Sequence, residues 1–176
     1  MSDLIVENLV ISTQINQELP LQSMAVSIAN TSYDEEEPVL IFRFDTPKRA
    51  VLIGKQGHMV CTGCTSFEEG TETIHKVIGI IKDHGIAIHD IPDCSIQSFV
   101  VSIDMAKNLD LSKISQQLES DRMRYLPDQH PWIEYAYDDQ ITILICHSGK
   151  IICTGTASLD RAKESIDVIS DKLESM

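Results

Sequence analysis

Apolar residues crowd two stretches of similar character about ninety positions apart. Leu4 to Thr13 and Ser95 to Asp104 are both β-branched and aliphatic, which suits a strand. Behind each, apolar residues recur at helical spacing: Leu21, Met24 and Ile28 after the first, Leu111, Ile114 and Leu118 after the second. Val39 to Phe44, Arg49 to Ile53 and His58 to Cys61 then read as short consecutive strands. Lys55 to Gly57 supplies the turn between the last two, and His147 to Gly149 is its counterpart. A longer helix closes each stretch. Ser66 and Glu69 form a capping box ahead of the stripe Ile74, Val77, Ile78 and Ile81. The partner helix runs from about Ser158 to Leu173, with Leu159, Ala162, Ile166, Ile169 and Leu173 inward.

The two stretches are copies of one unit. Met59-Val-Cys-Thr-Gly63 returns as Ile151-Ile-Cys-Thr-Gly155, an offset of 92, shared by Gly57 with Gly149 and by Leu52 with Leu144. Pro38 and Phe42 match Pro131 and Tyr135 at 93; Val10, Leu19 and Leu21 match Val100, Leu109 and Leu111 at 90. The expected fold is α+β: two pseudo-symmetric β-α-β-β-β-β-α repeats, residues 1–92 and 93–176. They are expected to form one continuous curved antiparallel sheet with helices on its convex face. Val10 beside Ile11, and Val100 beside Val101, make both faces of a strand apolar, so the uncovered face reads as a binding surface.

Composition narrows the partners. Of 176 residues 43% are hydrophobic, enough for a packed core. Lys plus Arg number 14 against 27 Asp plus Glu, a net charge of −13, which argues against finding nucleic acid or anionic membrane by bulk electrostatics. A local, largely apolar contact to DNA stays compatible with that charge. No apolar run approaches the roughly 18 residues of a membrane span, and Met1 to Glu7 holds two acids and no basic cluster. The expectation is a soluble intracellular protein without a membrane role. Five scattered cysteines do not make a disulfide framework. Cys61 and Cys64 form a CxxC with no second ligand pair, so they read as small buried hydrophobes, with metal or redox chemistry the minor alternative. Gly54 to Gly57 lacks the phosphate-loop pattern, and no nucleophile elbow, acid–base pair or cofactor motif is present.

The repeated Cys-Thr-Gly segments, each preceded by Leu-Ile and a Gly turn, together with Val6-Glu-Asn-Leu-Val10 and Ile96-Gln-Ser-Phe-Val100, resemble the TATA-box-binding protein family across nearly the whole chain. The resemblance implies a saddle whose concave face lies in the DNA minor groove and bends the duplex. It implies a non-enzymatic archaeal-type transcription factor, acting in the cell interior at the nucleoid. It also implies promoter DNA, transcription factor B and RNA polymerase as partners, and no cofactor or metal. On that resemblance Asn8, Thr62 and Thr154 are the central donors, with Ser98 in place of a fourth, an Asn. Val10, Val60, Val100 and Ile152 are the apolar floor, and Arg43, Lys48 and Lys150 are phosphate contacts.

Four positions depart from the family. Its intercalating phenylalanines fall at Glu37, Gly54, His130 and Cys146, none a phenyl wedge, although His130 keeps a stackable ring. Glu37 ends an acidic run from Asp34, Ala136 stands at the Arg43 match, and Asp138-Asp139-Gln140 replaces a basic segment. Sharp bending is therefore expected to be impaired. Trp132 in the second stirrup loop reads as core, with a partner anchor as its alternative. Three functions stay open. One is a divergent promoter-binding factor with weak, little-bent DNA. Another is a protein-interaction module that titrates transcription factor B or pairs with itself as a homodimer. The last is a small-molecule or other nucleic-acid module.

Overall fold

A computed structural model describes residues 3–119 and 121–176; Met1 and Ser2, which open the expected first repeat, and Ser120 lie outside the described residues. The elements run β1 (Ile5–Gln14), α1 (Leu21–Ser27), β2 (Thr31–Asp34), β3 (Val39–Asp45), β4 (Lys48–Gly54), β5 (His58–Cys64) and α2 (Phe67–Asp83). The second series is β6 (Ser95–Asp104), α3 (Leu111–Gln117), β7 (Met123–Tyr125), β8 (Trp132–Ala136), β9 (Thr142–Cys146), β10 (Lys150–Thr156) and α4 (Leu159–Glu174). The fold is α+β, and each series is β-α-β-β-β-β-α. The sequence pattern implies four consecutive strands after each short helix but locates only three. The fourth is β2 or β7, a short polar edge strand without an apolar run to betray it.

Contacts gather the chain into two compact units, Asn8–Gln97 and Met1–Glu7 with Ser98–Met176. In the first the strand order is β2-β3-β4-β5-β1, in the second β6-β10-β9-β8-β7, with antiparallel pairing throughout. Alternate strand residues pack beneath the helices. In the first unit these include Leu40, Phe42, Val51, Ile53, Met59 and Cys61, none more than 2% exposed, under Ile74, Val77, Ile78 and Ile81 of α2. Ile133, Ile143, Ile145, Ile151 and Cys153 do the same beneath Ala162, Ile166 and Ile169 of α4. Fully burying one such aliphatic side chain stabilises the fold by about 1.5–3 kcal/mol, so these faces dominate the stability.

Local chemistry starts the helices where the sequence suggests. The Ser66 hydroxyl accepts the Glu69 N–H (3.2 Å), and the Glu69 carboxylate accepts the Thr65 N–H (3.0 Å). Ser158 caps α4 through the Arg161 N–H, and Asp110 caps α3 through the Lys113 N–H. The turns at Gly57 and Gly149 are equivalent: Ile15 N–H bonds to the Gly57 carbonyl (2.9 Å), Met105 N–H to that of Gly149 (3.0 Å).

The repeated Thr-Gly has a physical cause. Between Leu9↔Cys64 and Ile11↔Cys61, β5 carries one residue more than β1; the same excess falls in β10 between Thr154↔Val100 and Thr156↔Phe99. Gly63 (φ 88°) and Gly155 (φ 100°) are those extra residues, in the left-handed region, and a Cβ on either would run into the backbone carbonyl of Lys48 or Gln140. The bulge also explains the CxxC spacing. On a regular strand residues three apart point to opposite faces, but the inserted Gly63 returns Cys64 to the face of Cys61. Both are fully buried with their Sγ atoms 3.3 Å apart. Burial and the neighbouring thiol push the Cys61 thiol well above its ordinary range.

Candidate nucleic-acid interface

Directly paired residues of neighbouring strands share a face, so the register defines what the helix-free side of each unit presents. In the first unit one row is Ser12–Val60–Leu52–Ile41–Ser32, and beside it runs Thr62–Ala50–Arg43. The second unit answers with Ser102–Ile152–Leu144–Glu134–Arg124 and Val100–Thr154–Thr142–Ala136. Each central strand pair therefore offers an aliphatic floor edged by a threonine hydroxyl. Val10, Val60, Val100 and Ile152 are all half-buried, which is the exposure of an apolar surface without a helix above it.

Asn8 and Thr62 meet. The Asn8 amide donates to Thr62 Oγ1 at 3.0 Å, and its oxygen accepts the Gly63 N–H at 2.8 Å, so the bulge fixes the amide beside the hydroxyl. Ser98 and Thr154 are not joined this way: among the described residues no side-chain bond links them, consistent with the shorter reach of serine. Arg43 lies on the Thr62 row and is exposed, as is Lys48 at the start of β4; among the described residues neither forms a salt bridge. Arg49, next to Lys48, belongs to the other face, paired with Glu69 of α2 at 3.0 Å and donating to Thr73 at 3.2 Å.

Lys150 is engaged. Its Nζ is 2.6 Å from a Glu7 oxygen that also accepts the Ser102 hydroxyl at 2.6 Å. The Lys150 ammonium, then the Ser102 hydroxyl, hold the Glu7 carboxyl below its usual range. A carboxylate thus accompanies the cation that the resemblance assigns to phosphate. Glu7 has no signal in the apolar pattern; only the folded chain brings it to Lys150, 143 positions away.

Glu37 is exposed in the β2–β3 loop, whose turn is made by Asp34 accepting the Glu36 and Glu37 N–H groups at 2.9 and 3.3 Å. Gly54 pairs with Val39 and Cys146 with Trp132. Trp132 is not in the core as the sequence suggests: Ile133 takes the buried position, and alternation puts the half-buried indole on the helix-free face. His130 stacks on it, centroids 4.8 Å apart and planes 20° from parallel. Asp138 is a structural acid. It accepts the Gln140 and Ile141 N–H groups at 2.8 and 2.7 Å and pairs with Arg161 of α4; those backbone donors, then Arg161, depress its carboxyl. Trp132, Glu134 and Arg124 complete the second face, and only the strand register finds them there.

The profile described as "Transcription factor TFIID (or TATA-binding protein, TBP)" matches residues 3–84 and 93–176. This chain belongs to the TATA-binding protein family. The TATA-box-binding protein of Natronomonas pharaonis is 37% identical over 173 residues, spanning 97% of this chain and 92% of that one. TATA-box-binding protein E of Halobacterium salinarum is 35% identical over 97% of this chain and 93% of its own length. Among solved structures Methanococcus jannaschii TBP superposes with a TM-score of 0.86 at 33% identity, covering 99% of this chain and 100% of that one. Membership in the TATA-binding protein family makes the chain a transcription factor, not an enzyme. Among the described residues no helix is long and apolar enough to cross a membrane, and no group of three or more His, Cys, Asp or Glu is placed to hold a metal ion.

Proposed function

We propose that this TATA-binding protein family member binds A·T-rich promoter DNA in the minor groove through the helix-free faces of its repeats, 1–92 and 93–176. It bends that DNA less than a protein with wedges at both ends, and recruits transcription factor B and RNA polymerase at the nucleoid. The observation that carries this is the paired floor: Val60–Leu52–Ile41 edged by Thr62, and Ile152–Leu144 edged by Thr154. The minor-groove edge of an A·T pair offers only acceptors, A N3 and T O2, so aliphatic surface interrupted by hydroxyl and amide donors is complementary to it. Asn8, Thr62, Ser98 and Thr154 supply the donors, Val10 and Val100 extend the floor, and Arg43 and Lys48 supply phosphate contacts, which Lys150 joins only when Glu7 releases it. Without rings at Glu37, Gly54 or Cys146, less unstacking energy is returned and the bend is smaller.

A second reading, in which the fold acts by titrating transcription factor B or as a homodimer, is favoured by one observation, the Glu7 carboxylate that occupies Lys150. Binding of a fluorescent A·T-rich duplex across a salt series, with and without transcription factor B, separates the two. Salt-dependent binding that weakens in Asn8→Ala and Thr154→Ala and is poorer on G·C-rich duplex is expected. No binding at micromolar protein and low salt, partner present, overturns the DNA reading.

A further inference from the structure

The first unit carries a groove whose lining includes none of the residues on its helix-free face. One wall is α2, where Phe67, Thr71 and His75 recur at helical spacing; the other is residues 91–94 of the extended segment between α2 and β6. The groove holds about 520 Å³. Among the described residues this unit leaves three large hydrophobic side chains exposed, and two of them meet here: Phe67 at 37% and Ile91 at 40%, Val26 being the third. The extended wall is preformed. The buried Thr13 hydroxyl donates to the Pro92 and Asp93 carbonyls at 3.1 and 3.3 Å, and the Gln17 amide donates to that of Ala87 at 2.7 Å. The backbone N–H groups of Asp90, Ile91 and Asp93 have no partner among the described residues, so this wall keeps donors free for another extended chain.

The charge around the groove has one sign. Glu68 and Glu72 follow Phe67 and Thr71 along α2, and Asp90 and Asp93 flank Ile91 and Pro92. All four are exposed, and among the described residues none is in a salt bridge. No lysine or arginine lines the groove; Lys76, next to His75, lies instead over the Phe44 ring, 5.1 Å from its centroid. An apolar cleft, a free strand edge and uncompensated carboxylates together specify an extended chain that carries an aliphatic side chain between cations. A second copy of this chain, at net charge −13, and the DNA backbone are both repelled from it.

We infer that the groove between α2 and residues 91–94 is a docking site for an extended basic peptide of a partner protein, whose aliphatic side chain seats between Phe67 and Ile91. Such docking leaves the helix-free face of the unit open, and the inference does not rest on the DNA reading.

The probe is a fluorescein-labelled heptapeptide alternating Arg and Leu, with an equally charged control alternating Arg and Ser. Anisotropy with the full chain should show salt-dependent binding of the first and about tenfold weaker binding of the control, whose side chains cannot use an apolar seat. Ile91→Ser and Phe67→Ser keep the charge and should each weaken the Leu peptide about five- to tenfold, whereas Val168→Ser, at an exposed apolar residue of α4, should leave it unchanged. Saturating peptide should also slow the reaction of Cys94 with a thiol reagent and leave that of Cys146 unaltered. Far-ultraviolet circular dichroism confirms that each variant is folded. Equal affinity for the two peptides, equal effects of Ile91→Ser and Val168→Ser, or an unprotected Cys94 overturns the site. A dimer at micromolar concentration that Ile91→Ser dissociates would assign the groove to a second copy and overturn it as well.

Discussion

Replacing Glu7 with Gln tests whether this carboxylate keeps Lys150 from DNA phosphate, as its ion pair predicts. The Lys150 and Glu7 side chains are 42% and 36% exposed, so their ion pair at 2.6 Å sits in water and is screened. Exposed pairs of this kind contribute about 0–1 kcal/mol, and Gln retains an oxygen for the Ser102 hydroxyl. The folded state should therefore lose at most about 2–4 °C in Tm for a chain of this size. At DNA the consequence is larger. Removing one carboxylate frees one ammonium, and each phosphate neutralised steepens the dependence of log K on log salt by about 0.9. Between about 50 and 200 mM salt, that is an additional loss of roughly 3.5-fold. The assay is anisotropy of an A·T-rich duplex across that range for the native chain, Glu7→Gln, Lys150→Gln and the double variant. Glu7→Gln should bind more tightly at low salt and show the steeper slope; Lys150→Gln should matter little alone and cancel the gain in the double variant. A native slope that falls by a full phosphate in Lys150→Gln, or a Glu7→Gln slope equal to the native one, would refute the argument, because Lys150 would then already reach phosphate despite its partner.

Two glycines of α2 should respond oppositely to alanine in thermal unfolding. Nothing lies within 4 Å of a Cβ at Gly79, so Gly79→Ala gains about 0.5–1 kcal/mol, whereas at Gly70 the added carbon collides with the Ile11 side chain and Gly70→Ala should lose about 1–3 kcal/mol. Acid should unfold the protein in a definite window. Glu7, Glu69 and Asp138 are all depressed, so their contributions are complete above the unfolded carboxylate values, 4.5 for Glu and 3.8 for Asp, and disappear as pH falls through the lower folded values. Urea midpoints should be flat from neutral to about pH 5 and drop below it; a drop beginning near neutrality would point to groups other than these. Thiol titration of the native protein should find Cys94 and Cys146 slowly reactive and Cys61, Cys64 and Cys153 unreactive until denaturant is added, since only the first two are partly exposed. Reaction of Cys61 in the native state would contradict the packed bulge.

The duplicated pattern carried most of the fold because packing leaves it little choice. Period-two apolar strands, 3.6-period helices and two capping serines each point to one structure, and the strands and long helices form within a residue or two of the expected bounds, except β5, which runs on through the bulge to Cys64. What escaped was whatever lacks an apolar signal. β2 and β7 are polar edge strands of four and three residues, held by register to β3 and β8. The site was legible as a list of types but not as a set of partners. Threonine and valine at every second position announce an open face, whereas Glu7 on Lys150 and Asp138 on Arg161 depend on pairings that sequence separation hides. Trp132 was misplaced for the same reason. A lone tryptophan after proline fits core or surface equally, and only its alternation with Ile133 decides which.

The two halves act as controls for each other, since one backbone plan has been filled twice. Where the plan is under packing constraint, the fillings agree. Gly63 and Gly155 both meet a carbonyl, Ile53 and Ile145 are both fully buried, and Val60 and Ile152 occupy equivalent floor positions. On the helix-free face the fillings separate. Arg43 faces Ala136, Ile41 faces Glu134, Ser32 faces Arg124 and Val39 faces Trp132 across the internal symmetry. None of these exchanges alters a buried contact, so stability does not require them, and none is neutral toward a ligand, since each changes charge or ring content. A symmetric ligand pressed against both faces would be met by a cation and an aliphatic row on one side and by an aromatic pair and a mixed charge pair on the other. The asymmetry thus lies in what each helix-free face presents and not in how each unit folds.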